Sequence, residues 1–160
     1  MRARRLLTAS ATGVLVAGLG IAGAGAAQAQ PNLCISVNGT ERVQMGTAEC
    51  SSVAGRNFAM ARGDLATARS GWVEGDTGNR AIATGTLSYA DAGYGDNNTA
   101  TATGYYSYAT AGWTGDNNTA TATGDYASAF AGAGDNNTAT ATGDCTVSVD
   151  GVNDTAVSCP

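Results

Sequence analysis

The sequence predicts an all-β parallel β-roll, a β-solenoid with two strands per coil of about 19–20 residues and disulfide-closed caps at both ends. Three observations predict it. The phrase Asn-x-Ala-x-Ala-x-Gly occurs five times, starting at Asn57, Asn79, Asn98, Asn118 and Asn137. The starts are 22, 19, 20 and 19 residues apart, and a period near twenty marks coils that bury a face only against their neighbours. Between the phrases lies a second alternating pair: Ala66/Ala68, Ala90/Ala92, Ala109/Ala111 and Ala127/Ala129. Strict alternation is the period of a strand, with alanine on one face.

Residues 1–29 read as a secretory signal peptide. Arg2, Arg4 and Arg5 precede a small apolar run, and Ala27-Gln28-Ala29 forms an A-x-A cleavage site. A retained membrane anchor is the rival, but the run is Gly-rich and ends in the cleavage pattern. The expected location is therefore secreted, or associated with the cell surface or wall, with no integral membrane segment after cleavage.

Residues 30–56 read as the N-terminal cap, 57–143 as the repeat roll and 144–160 as the C-terminal cap. Asn38-Gly39 and Asp150-Gly151 are hairpin-turn dipeptides between strand-like runs. Capping covers sheet edges that would otherwise template association. Cys34 and Cys50 precede the repeats, and Cys145 and Cys159 follow them. Four cysteines allow three connectivities. Separation alone predicts Cys34–Cys50 and Cys145–Cys159. Zinc is the alternative, but no C-x-x-C spacing and no histidine supports it.

Alanine is a poor strand former. It fits where two strands face each other across a core too thin for anything larger. Gly85, Gly104, Gly124 and Gly143 end the first strand of successive coils, and Gly-Asp-Asn-Asn runs at 95–98, 115–118 and 134–137 make the opposite turn. Gly and Asn tolerate positive φ there, and stacked Asn or Asp can form hydrogen-bonded ladders. Such bonds are needed. Burying a methyl-sized group contributes about 0.8 kcal/mol, whereas ordering one residue's backbone costs about 1–2 kcal/mol.

Tandem x-Ala-x-Ala-x-Gly with Asn-rich turns resembles the β-roll heads of trimeric autotransporter adhesins, over roughly residues 57–143. The resemblance implies a parallel β-roll, a homotrimer and a surface-adhesion role. The coil here is longer than is typical of those heads, and their stalk and barrel have no counterpart in this sequence. The layout of signal peptide, Cys pair, repeats and Cys pair, without lysine, is also similar to small exported actinobacterial proteins of unknown function.

Charge and composition narrow the function. Beyond the leader there are five arginines, none after Arg80, against 13 acidic residues. Nucleic acid is therefore not an expected partner, because phosphate binding needs positive charge. With no histidine or lysine and no expected free thiol, a nucleophilic hydroxyl lacks its usual base. No catalytic residue, enzyme activity or cofactor is expected.

Three surface arrays remain. Thr99, Thr101 and Thr103 are expected to stack on Thr119, Thr121, Thr123 and on Thr138, Thr140, Thr142. Their spacing would be about 4.7–4.9 Å across coils and roughly 6.7 Å along a strand, a grid that looks like the Thr-x-Thr faces of β-helical ice-binding proteins. Soluble strand threonines are the simpler reading. Tyr89, Tyr108 and Tyr126, with Leu65, precede the second alanine pairs and are expected in one outward row. Trp72, Tyr94 and Trp113 form a second set in the following turns. Aromatic rows suit self-association, a glycan or cell-surface ligand, or shielding of backbone. Asp96, Asp116 and Asp135 recur at equivalent turns and are calcium candidates, but the Gly-Gly-x-Gly-x-Asp repeat is missing. No metal is expected. The functional expectation is a non-catalytic structural or surface-interaction module, with ice and glycan binding as its rivals.

Overall fold

The computed structural model describes residues 31–157, all of them in strands and turns without a helix. The proposed leader and Cys159 lie outside those residues. The strands begin with β1 (Leu33–Val37), β2 (Thr40–Met45) and β3 (Glu49–Ser52). The repeats give β4 (Phe58–Arg62), β5 (Thr67–Ser70), β6 (Arg80–Thr84), β7 (Tyr89–Ala92), β8 (Thr99–Thr103) and β9 (Tyr108–Thr114). They continue as β10 (Thr119–Thr123), β11 (Ser128–Ala133), β12 (Thr138–Thr142), β13 (Thr146–Val149) and β14 (Thr155–Val157).

Successive strands alternate between two sheets. One sheet has the order β14-β12-β10-β8-β6-β4-β1-β2, the other β13-β11-β9-β7-β5-β3. From β3 onward every neighbour pairing runs parallel, one coil to the next. This is the β-solenoid that the repeat predicts.

The core is a double row of methyl groups. Ala100 and Ala102 of β8 face Ala109 and Ala111 of β9, and all four are fully buried. The pattern repeats coil after coil, with Ser70 in place of one alanine in β5 and Val147 and Val149 in β13. At one corner the first Asn of each repeat points inward. Asn57, Asn79, Asn98, Asn118 and Asn137 are buried, and each side-chain carbonyl accepts the backbone N–H of the matching residue one coil on, at 2.7–3.1 Å. Their amide groups donate to turn carbonyls, as Asn98 does to Tyr94 and Gly115, both at 2.9 Å. Asn97, Asn117 and Asn136 just before them take φ of 58°, 59° and 61°, which closes the turn.

The N-terminal cap is a hairpin. Asn38 and Gly39 both have positive φ and join β1 to β2, with Val37 opposite Thr40. β1 then pairs antiparallel with β4, setting Val37 against Phe58 and Ile35 against Met60. The first, most apolar rung of the roll is covered in this way. Cys34 and Cys50 form a disulfide that ties β1 to β3. Cys145 is disulfide-bonded as well.

Two expectations are corrected. Asp150-Gly151 does not close a hairpin. β13 and β14 lie in opposite sheets, and β14 pairs parallel with β12, so winding continues for another half coil. The second-sheet alanine pairs are also out of phase with the sequence reading. Ala68, Ala90, Ala109 and Ala129 align, as do Ser70, Ala92, Ala111 and Ala131. Each coil therefore has three inward small residues, led by Ala66, Ser88, Ser107 or Ala127. Serine fits the alanine slot because Ser88 and Ser107 donate their hydroxyls to the carbonyls of Gly85 and Gly104. Counting alanines alone conceals that phase.

Candidate functional site

The shift of phase divides the expected aromatic row. Tyr89 and Tyr108 pair in register on β7 and β9, and their rings stack with centroids 4.9 Å apart and planes 7° from parallel. Leu65 and Tyr126 instead sit in the preceding turn with Leu87 and Tyr106, all four at φ between 53° and 57°. There Tyr106 stacks on Tyr126 at 5.8 Å, and Tyr105 meets Tyr126 edge-on. Tyr126 is thus at the opposite end of the second-sheet strands from Trp72, Tyr94 and Trp113.

Those three residues follow Gly71, Gly93 and Gly112. Gly112 has φ +71°, and a Cβ there would come 2.3 Å from the Asn98 amide nitrogen. The chain can pass over the Asn ladder only because that atom is missing, and Trp113 is carried outward. Trp72 stacks on Tyr94 at 5.6 Å. Its turn is held by Asp76, whose Oδ2 accepts the N–H groups of Trp72 and Val73, while Oδ1 accepts that of Gly95.

The two aromatic columns wall a groove of about 280 Å³ that runs across coils: Trp72, Tyr94 and Trp113 on one side, Tyr89 and Tyr108 on the other. Between them lie the outward residues of two adjacent strands, Asp91 and Thr110, which pair in register. Both are polar and almost inaccessible, 6% and 4% exposed. The Asp91 carboxylate accepts the Trp72 indole N–H, at 2.9 Å to Oδ1 and 3.2 Å to Oδ2, and the Tyr89 hydroxyl at 2.9 Å. Burial pushes its pKa above the usual carboxylate value, although those two donors and nearby Arg69 pull the other way. Tyr89 is raised too, first by burial and then by Asp91. Thr110 Oγ1 is buried with no hydrogen-bond partner. Arg69, in register with Asp91 on the neighbouring β5, holds its guanidinium 5.2 Å from the Trp72 ring centre.

Asp91 and Thr110 were not expected as site residues. A signal is present in the sequence: Asp91 is a charged residue between two alanines and between two tyrosines, in Tyr89-Ala-Asp-Ala-Gly-Tyr94. With the strand in phase, Asp91 falls on the outward face among the rings.

The first sheet carries the threonine grid. Thr99, Thr119 and Thr138 align, as do Thr101, Thr121, Thr140 and Thr103, Thr123, Thr142. Thr84 extends the last column and Thr155 the first. Asp96, Asp116 and Asp135 stack at the Asn corner, where their Oδ1 atoms accept the backbone N–H groups of Thr77, Asp96 and Asp116 at 2.7–2.9 Å. These carboxylates form a second ladder parallel to the first. Among the described residues, no three His, Cys, Asp or Glu side chains gather as metal ligands.

No family model matches the chain, and neither a curated protein nor a solved structure is significantly similar to it. The fold and the groove are therefore read from their own geometry.

Proposed function

We propose that this chain is an exported, non-catalytic surface-interaction protein that binds polysaccharide through the aromatic groove. One observation carries the reading: five aromatic rings flank a groove whose floor holds a hydrogen-bonding carboxylate and an unpaired hydroxyl. A pyranose has apolar C–H faces and a rim of hydroxyls. Ring faces accept the former, and a few convergent polar groups orient the latter. The groove volume is near the lower end of the roughly 300–1,000 Å³ common for small ligands, so it suits one or two sugar units of a longer chain. The Cys34–Cys50 disulfide supports an oxidising, extracellular setting. The repeat's likeness to adhesin heads points the same way.

Retention of the protein on a panel of insoluble polysaccharides tests the reading. Trp113 is the most exposed of these rings, at 62%, and Trp113→Ala should lose retention while Thr121→Ala keeps it. Failure of the native protein to bind any member, or equal retention of both variants, rejects it.

The in-register threonine columns favour a second reading, ice binding through the first sheet. Its test is thermal hysteresis, abolished by Thr121→Arg. Native protein without hysteresis ends that reading.

A further inference from the structure

We propose that Asp91 makes the groove selective for a sugar bearing a free ammonium group over its N-acetylated or neutral counterpart. The inference rests on the polysaccharide reading and adds the class of sugar. A buried carboxylate is costly unless it is paired. Here both hydrogen-bond donors are neutral, the Trp72 indole and the Tyr89 hydroxyl. An ionised carboxylate offers about four lone-pair sites, so two donors leave acceptor capacity facing the groove.

The charged and titratable groups around Asp91 are few. Arg69, one strand away, is drawn over the outer Trp72 ring and lines no part of the groove. Tyr89, Tyr94 and Tyr108 are the other titratable groups that line it, and no basic side chain lines the walls. An ammonium entering between the rings meets aromatic faces that attract cations, worth more when desolvated. It also brings a positive charge to the groove side of Asp91, where no basic side chain stands. Thr110 Oγ1 stands on the neighbouring strand, buried and unpartnered, placed to bond a hydroxyl of the same sugar. An anionic sugar would meet the carboxylate and be repelled.

Calorimetric titration of the full chain with three oligomers of equal length tests this: β-1,4-linked glucosamine, its N-acetylated form, and the corresponding glucose oligomer. In mildly acidic buffer the glucosamine oligomer should bind about tenfold or more tightly than the others, the scale of one charge-assisted hydrogen bond. Added salt should narrow the gap, and Asp91→Asn should remove it. The comparison on native protein needs no variant, so a variant that fails to fold leaves the test intact. Equal binding of all three overturns the ammonium selectivity and leaves the polysaccharide reading standing. Binding of none overturns both.

Discussion

The side-chain carbonyl of Asn98 accepts the backbone N–H of Asn118 at 2.9 Å, through the interior of the corner where one coil passes to the next. The Asn98 amide donates to the carbonyls of Tyr94 and Gly115. One side chain thus satisfies three backbone groups, a buried N–H and two partly buried carbonyls. In a core of methyl groups, this is where much of the specificity of stacking resides.

Asn98→Ala should therefore be among the most damaging single changes in the roll. It strands one buried N–H, at about 1–3 kcal/mol, and two partly buried carbonyls that add less. A loss of several kcal/mol in urea unfolding is expected. Asn98→Asp should not rescue it, because a carboxylate cannot donate to Tyr94 or Gly115 and brings a buried charge. An unfolding midpoint within error of the native value would show that the ladder is not stabilising.

The period, the alternation and the Gly-Asp-Asn-Asn turns are local features, so the solenoid, its coil length and its threonine columns are legible in the sequence. Strand phase in the second sheet is not. It depends on Ser88 and Ser107 occupying alanine positions, and that is settled only when three coils are paired in space. The groove follows the phase: with the strand displaced by two residues, Tyr126 joins the wrong column and Asp91 goes unnoticed. Asp150-Gly151 fails for a similar reason. A turn dipeptide specifies a bend, but the next strand's partner decides whether the bend makes a hairpin or another coil.

Gly104 sets how closely coils approach at the opposite corner. It has φ +102°, and a Cβ would come 2.3 Å from the Gly124 carbonyl oxygen. Gly104→Ala combines an unfavourable backbone conformation with a collision against main chain that cannot rotate away. A destabilisation of at least about 1–3 kcal/mol is expected, in the range for strained backbone. Gly75, with nothing within 4 Å of its added Cβ, is the control: it also has positive φ, 110°, but no collision. If both alanine variants unfold alike, the close approach contributes nothing beyond φ.

Cys34–Cys50 closes a loop of sequence separation 16 and fastens β1 to β3. Loop-closure entropy for that length corresponds to about 3 kcal/mol. Replacing both cysteines with alanine should lower global stability by about that amount. Hydrogen exchange should quicken first at Phe58 to Arg62, where β1 covers the apolar first rung. Uniform acceleration along all coils, or none in β4, would mean that the cap and the roll do not open as this pairing requires.

Asp91 gives a pH test with a definite sign. Because burial raises its pKa in the folded chain, the native state holds the proton more tightly than the unfolded chain does. Between the ordinary and the raised value the folded form binds more protons, so this group's contribution to stability falls as pH rises through that window and is flat above it. Tyr89, whose own pKa is raised from a phenol's already high value, does not change charge there. Asp91→Asn keeps an oxygen for the Trp72 and Tyr89 donors but removes the buried charge. The stability difference, variant minus native, should be smallest in acid, grow with pH through the window, and then level off. Taking the difference cancels the other carboxylates. Parallel melting curves from acid to neutral pH would show that Asp91 is as well solvated in the folded chain as in the unfolded one, and a groove that wet would lack the desolvation on which its affinity for a cation depends.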